Sequence, residues 1–515
     1  MRITRERLRD ALATLWPDVS PPDSLTTDAG ELALCRDSRR IAASEAPAVF
    51  VALPGVNVDG RHFIAQALDD GAVLVLTDTT SEGGMPTDID LPVDTRILSL
   101  PGFEHALGEL GRLLFAVPRS LELIGVTGTN GKSSVTHYIA ALSERLGRGA
   151  GVIGTLGWGH VGRLVDSGLT TPGPLELQAA LGAMAAEGIE RVAMEVSSHA
   201  LAQERLSGCR ITAAAFTNLS RDHLDYHGSM AAYAAAKARL FQRHELALAV
   251  VNGDDPLARL MLAGLPDGVR VLACGEREAT TLRVLDWQPH AAGQRALIAT
   301  PDGERALELA LMGRFNLDNV LLAMAVLYGL GEDLDQLCEA AAALAAVPGR
   351  MQVITRPGAP TVVVDYAHTS EALRNALQAL RAHLPGREGE SPGRLWCVFG
   401  CGGDRDSGKR PLMAAAAESL ADCLVITDDN PRSEAPAAIR DQVCAGLTPA
   451  ARAGAWSIDG RGEAIARVIA EAGADDVILI AGKGHEDYQE VRGQRLAFSD
   501  AASANAALDE REVHP

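Results

Sequence analysis

With 515 residues, 47% hydrophobic and 22% charged, the chain is too long for one hydrophobic core, and its length suggests about three domains. A formal charge of −20 argues against nucleic acid or an anionic membrane surface as a partner, yet leaves anionic small ligands open, since those respond to local charge. The eight cysteines form no CxxC pair, Cys397 and Cys401 being closest, which suits a reducing compartment better than disulfides or zinc.

The start, "MRITRERLRDALATLW", reads as an amphipathic helix without the apolar core of a signal peptide. No apolar run approaches the roughly 18 residues of a membrane span, so a cytoplasmic protein is expected. Residues 1–100 hold short apolar runs ("AVFVALPG", "AVLVLTD") among Gly, Asp and Pro turns, a small mixed α/β domain. Over 101–346, apolar runs alternate with helical patterns: "LELIGVTG", "RVAMEVSS", "AAAFTNLS", "LALAVVNGDD". That alternation predicts a central domain with a parallel sheet covered on both faces. "VPGR" follows the Ala-rich helix "DLDQLCEAAAALAA" and marks a boundary; a second strand–helix series over 347–515 predicts a Rossmann-like C-terminal domain. "LPGREGESPGR" (384–394) reads as an exposed loop. The fold class is α/β in three domains.

"LELIGVTGTNGKSSVTHYIAALSERLG" places strand, glycine loop and helix in the order that binds a nucleotide phosphate. Gly128 and Gly131 let the backbone close around an anion, Lys132 supplies a point charge, and Ser133 can bind Mg²⁺. The strict GxxxxGK[ST] pattern fails, because Val126 stands where its first glycine belongs. In the last domain four strands end in chemically able residues: Asp365 and His368, Asp404 and Arg405, Asp428 to Arg432, Lys483 to Glu486. Ligands of open parallel sheets bind beyond those carboxyl ends, so one shared site is expected.

"VTGTNGKSS" resembles the phosphate loop of the Mur ligase family. The likeness continues in family order through "TTPGPLELQ" (170–178), "MEVSSHAL" (194–201), "FTNLSRDHLDYHG" (216–228), "AAKARLF" (235–241), "GRFNLDN" (313–319), "VPGR" (347–350), "VDYAH" (364–368), "FGCGGDRDSGKRPLM" (399–413), "DDNPRSE" and "AGKGHEDYQ" (481–489). It covers most of the chain and is greatest with the members that add the third amino acid of the peptidoglycan stem peptide. The resemblance implies an amide bond made with ATP and Mg²⁺ through an acyl phosphate on UDP-N-acetylmuramoyl-L-alanyl-D-glutamate. It also implies small-molecule substrates only, and a monomer is expected.

Residue roles follow from the same resemblance. Gly128, Thr129, Asn130, Gly131, Lys132, Ser133 and Ser134 would cradle the triphosphate, with Lys132 on the terminal phosphates. Glu195 and His223 would bind Mg²⁺ with Ser133; from residue type alone His223, between Asp222 and Asp225, could equally be a solvated turn histidine. Lys237 reads by itself as an ordinary helical lysine, whereas the family implies a carbamylated one whose oxygens reach the metal. Ser38, the stretch Val56, Asn57 and Val58, then Thr170, Thr171, Ser197, Gln203 and Arg205 match positions for the UDP-linked dipeptide. The family's "PGDLF" is "APAVF" here (46–50), which changes the local loop. Asn316 and Asn319 match the adenine side, though Asn three apart can also cap or pack a helix. Arg350 and Asp365 match ATP contacts from the last domain.

"DNPR" accompanies family members that add meso-diaminopimelate, and lysine-adding relatives depart from its arginine. Arg432 offers a planar fork for the far carboxylate that lysine lacks. Arg405, Asp429, Asn430, Pro431, Gly482 and Glu486 complete the expected pocket, with Asp429 and Glu486 for the far ammonium. The alternatives are the same chemistry with L-lysine, a folylpolyglutamate synthase, and a nucleotide-dependent binding switch.

Overall fold

The computed structural model describes residues 1–22, 25, 30–55, 58–78, 92–277, 281–384 and 393–513. Val56 and Asn57, and most of the expected loop 384–394, lie outside them. The protein is α/β: a small mixed N-terminal domain, a central phosphate-loop domain with a parallel sheet, and a Rossmann-like C-terminal domain. By contacts it divides into two compact units, residues 1–132, 147–249 and 259–270 in the first, and 133–146, 250–258 and 271–515 in the second.

The first unit contains two sheets. In the N-terminal one, β1 (Arg2–Thr4) runs antiparallel to β2 (Glu31–Cys35), and β3 (Ala48–Ala52), β4 (Leu74–Thr77) and β5 (Ile97–Ser99) continue in parallel. The opening segment is thus a strand before it is a helix. Thr4 accepts from the Arg7 N–H and starts the helix Arg5–Leu15 there. Every residue of β3 is buried: Val49 and Val51 pack beneath Leu8, Leu12 and Phe103, while Phe50 joins Ile41, Ile64 and Val75. In the second sheet β6 (Glu122–Thr127) lies between β10 (Arg191–Glu195) and β11 (Ile211–Phe216), both parallel to it. β7 (Ala150–Gly154) pairs parallel with β10, and β8 (Gly157–His160) and β9 (Arg163–Val165) fold back antiparallel at its edge. The carboxyl ends of β6, β10 and β11 carry the glycine loop, Glu195 and Thr217.

In the second unit the strands Leu282–His290, Gly293–Thr300 and Gly303–Leu309 form an antiparallel meander. It departs from the strand–helix alternation expected over 101–346. Two tight turns with positive-φ Gly293 and Gly303 reverse the chain, and the strands alternate buried and exposed residues, as a half-solvated antiparallel sheet does. The helix expected over the Ala-rich stretch stops at Ala341.

The C-terminal sheet has the order 352–354, 361–365, 477–481, 395–399, 423–426, 456–457, antiparallel only at its first pair. Both faces are covered. Val363, Cys397, Phe399, Ile426 and Leu479 pack against helices Ser370–His383, Lys409–Glu418 and Pro436–Cys444. Val362, Val364, Trp396, Val398, Ile478 and Ile480 face the helices Arg461–Glu471 and Asp500–Val513. Buried on both sides, these strands read as continuous apolar runs, which is why they stand out in the sequence.

Candidate active site

The glycine loop closes against the end of β11. A side chain at Gly128 would lie 1.8 Å from Thr217 Oγ1, so only glycine fits. Thr217 donates to the Asn130 carbonyl (2.6 Å), and the Asn218 side chain accepts from the Asn130 N–H (3.0 Å). Lys132 folds onto its own loop, donating to the Gly128 and Thr129 carbonyls at 3.0 and 2.8 Å. The helix Lys132–Arg145 begins there, with Ser133 and Ser134 buried in its first turn.

Lys237 reaches the same place from the helix Met230–Ala238. Its side chain is 1% exposed, Nζ donates to the Gly128 carbonyl at 2.8 Å and sits 4.5 Å from the Tyr233 ring centre. Burial, with the Lys132 charge adding to it, pushes this ammonium well below the usual lysine range. The downward shift favours the neutral amine, the nucleophile that would add CO₂ and lose a proton to give a carbamate with two oxygen ligands.

Glu195, 1% exposed, ends β10 with its carboxylate accepting from the Thr155 N–H at 2.9 Å. Around it the structure gathers most of the residues expected for the UDP-linked substrate. Thr171 Oγ1 donates to the Glu195 carbonyl (2.8 Å) and accepts from the Ser197 N–H (3.1 Å), and Thr170 bonds Thr155. Arg205 donates to the Thr171 carbonyl at 2.7 Å and grips Gln203 Oε1 with Nε and Nη2 at 3.0 and 2.7 Å. Ser38 is buried at the start of a short turn capped by Asp37, and Val58 is exposed.

His223 has a left-handed backbone (φ 52°) and an exposed ring beside Asp222. It does not stand alone: His199 lies 4.9 Å and Tyr233 6.0 Å away, with Tyr226 and His227 packed on His199. Burial and the neighbouring histidines push His199 and His227 down. Sequence reasoning missed both, together with Thr155, Thr217 and Asn218. For all but Thr155, which lies in no quoted motif, the only signal was membership of motifs already singled out, because partners so far apart along the chain cannot be paired without the fold. Among the described residues no three His, Cys, Asp or Glu side chains cluster closely enough to hold a metal ion.

In the second unit Asn316 accepts from the Tyr138 hydroxyl (3.2 Å) and donates to the Met312 carbonyl (2.8 Å). Asn319 is also buried. Arg350 lies over the Tyr366 ring at 4.5 Å with a buried Nε that has no hydrogen bond. Asp365 accepts from the Met351 and Ala367 N–H groups, and burial raises its carboxyl.

Of the four strand ends expected to share a site, those at 399, 426 and 481 are joined by hydrogen bonds. Lys483, fully buried, donates to Glu486 (2.9 Å) and Asn430 (3.2 Å), and Asn430 donates to Glu486 at 2.9 Å. Asp429 keeps one buried oxygen without a hydrogen bond. Gly482, at φ +118°, brings the backbone close to Asp429. Pro431 is buried, Arg432 half-buried and Arg405 exposed. Arg432 donates to the Gly403 carbonyl (2.7 Å) and to Glu490 (3.1 Å). Carboxylate, amide and guanidinium groups on one rim suit a small zwitterion.

A phosphate-gripping loop at one sheet's carboxyl edge and an amino-acid-sized polar rim at another define an ATP-using α/β ligase. The Mur ligase middle domain matches residues 126–327, and the Mur ligase glutamate ligase domain matches residues 349–484. Two relatives, from Pseudomonas syringae pv. tomato and Pseudomonas aeruginosa, are both named UDP-N-acetylmuramoyl-L-alanyl-D-glutamate–2,6-diaminopimelate ligase. They are 46% identical over 92% of this chain and 94% of their own, and 45% over 93% and 95%. A solved structure of a protein of that name superposes with a TM-score of 0.68 at 38% identity, over 93% of this chain and 95% of its own. The chain belongs to the Mur ligase family.

Proposed function

We infer that the protein joins meso-2,6-diaminopimelate to UDP-N-acetylmuramoyl-L-alanyl-D-glutamate with ATP, giving the UDP-linked tripeptide used in peptidoglycan synthesis. Identity of 46% across 92% of the chain to a protein named for that reaction carries the inference. Arg432 on the same turn as Asp429 and Asn430, with Asn430 bonded to Glu486, supports the choice of amino acid. Three domains at 1–100, 101–346 and 347–515, action as a monomer and a cytoplasmic location belong to the same proposal. No described helix is long and apolar enough to cross a membrane.

The D-glutamate carboxylate attacks the terminal phosphorus of ATP, releasing ADP and leaving an acyl phosphate. The amine of diaminopimelate then attacks the acyl carbon, phosphate departs, and a proton is lost. Positioning and charge dominate such a reaction. Gly128 to Ser134 would hold the phosphates, with Lys132 leaving its own carbonyls for the transferring group. Asn316, Asn319, Arg350 and Asp365 would bound the nucleotide. Ser38, Val58, Thr170, Thr171, Ser197, Gln203 and Arg205 would hold the dipeptide substrate. The donor set fits Mg²⁺: the buried Glu195 carboxylate, the Ser133 hydroxyl, His223 and a carbamate on Lys237, mostly hard oxygen. That ion would neutralise phosphate charge.

Mass spectrometry of the product tests the proposal. Tripeptide should form only when ATP, Mg²⁺, dipeptide precursor and meso-diaminopimelate are all present, and Lys132→Ala should remove it. ATP hydrolysis indifferent to both other substrates would favour the binding-switch alternative.

A further inference from the structure

Arg432 sits in a backbone conformation that an arginine does not choose. Its φ is +51°, in the left-handed region that disfavours a residue with a side chain. The hairpin of Tyr488–Val491 and Gln494–Ala497 supports it there. The Arg432 N–H donates to the Glu490 carbonyl (2.9 Å), and its carbonyl accepts from the Arg492 N–H (2.7 Å), an isolated bridge opposite Val491. The same strand holds the neighbouring pocket residues: the Glu490 N–H donates to Asn430 Oδ1 (3.0 Å) and Gln489 to the Asp429 carbonyl (2.8 Å).

Glu490 also contributes its side chain. Its carboxylate accepts from Arg432 Nε at 3.1 Å, and Gly403 takes one Nη1 hydrogen at 2.7 Å. Nη2 makes no hydrogen bond among the described residues. Nε and Nη1 thus anchor opposite sides of the guanidinium, and where Gly403 takes the outer Nη1 hydrogen, the inner Nη1 and Nη2 hydrogens form an end-on fork for a carboxylate. The two side chains are 23% and 32% exposed, so the pair is reachable by a ligand yet sheltered from full solvent screening.

We propose that Glu490 is a positioning and specificity residue for the incoming amino acid: it fixes the plane of Arg432 so that the end-on fork meets the far carboxylate of a diamino diacid. The proposal rests on the ligase function inferred above. A fork held in place beforehand loses less freedom on binding than a swinging arginine, and the gain appears only for ligands carrying that carboxylate.

Steady-state kinetics of Glu490→Ala and Glu490→Gln test it, with KM measured separately for meso-diaminopimelate, ATP and the dipeptide precursor. Glu490→Ala should raise KM for meso-diaminopimelate on the order of tenfold, leaving the other two KM values and the melting temperature near wild type. Glu490→Gln, whose amide oxygen still accepts from Nε, should recover most of the loss. An unchanged or lower KM for meso-diaminopimelate in Glu490→Ala would overturn the proposal, as would parallel changes in all three constants. Wild-type protein that forms no product with meso-diaminopimelate would instead remove the ligase inference itself.

Discussion

Lys237 concentrates the electrostatics of the central site. An ammonium 1% exposed and bonded to one carbonyl, with a second lysine on that same carbonyl, is costly to keep charged. Conversion to a carbamate would turn the repulsion from Lys132 into attraction, and would supply oxygens for a cation at the phosphate loop. Protein equilibrated with ¹³C-bicarbonate should show one carbamate carbon resonance that disappears in Lys237→Ala. Its absence from the wild-type spectrum would leave Lys237 an unmodified buried amine. From sequence alone this lysine was indistinguishable from any helical lysine, because burial belongs to the fold; only the family resemblance pointed at it. Arg432 was legible on its own chemistry, but its anchor was not. Glu490 lies 58 positions away, and nothing local links the two.

The turn that carries Arg432 is braced by an ion pair between buried Arg410 and half-buried Glu434. Arg410, 1% exposed, donates to both oxygens of Glu434 at 2.9 and 2.8 Å, to Gln442 and to the Gly402 carbonyl. Glu434 in turn accepts from the Asp404 N–H, and Asp404 from the Ser433 hydroxyl and N–H. The Arg410 guanidinium holds the Glu434 carboxyl down at about 2, from an ordinary 4.5. A folded-state value below the unfolded one stabilises the native state fully above about pH 4.5, and the contribution is lost as pH falls toward about 2. Glu434→Gln should therefore be less stable than wild type at pH 7, with a difference that narrows on acidification. Urea midpoints at pH 7 and pH 3.5 measure this, and a constant difference would contradict it. Among the elements, the buried parallel strands and the glycine loop were legible because their signals are local. The antiparallel strands over 282–309 were not, since half-buried alternation interrupted by short glycine turns was absorbed into the neighbouring strand–helix series.

Across the whole molecule, the proposed function would have a chain of net charge −20 handle ATP, a UDP-linked diacid and an amino acid with two carboxylates. It would do so with few, placed cations: Lys132 and Lys237 at the loop, Arg205 beside Thr171, Lys483 and Arg432 on the last sheet. The family resemblance read from motifs agrees with the matches across most of the chain. What the sequence could not supply was which distant residues hold these groups in place: Thr217 and Asn218 on the glycine loop, and Glu490 on Arg432. The choice of amino acid is the sharpest consequence of the whole arrangement. A fork built for a carboxylate and left unpaired by lysine can cost about four orders of magnitude in selectivity. Phosphate release with the dipeptide precursor, ATP and Mg²⁺, comparing meso-diaminopimelate with L-lysine at equal concentration, measures it directly. Release should occur with meso-diaminopimelate and fall to background with lysine; equal or faster release with lysine would contradict the role given to Arg432.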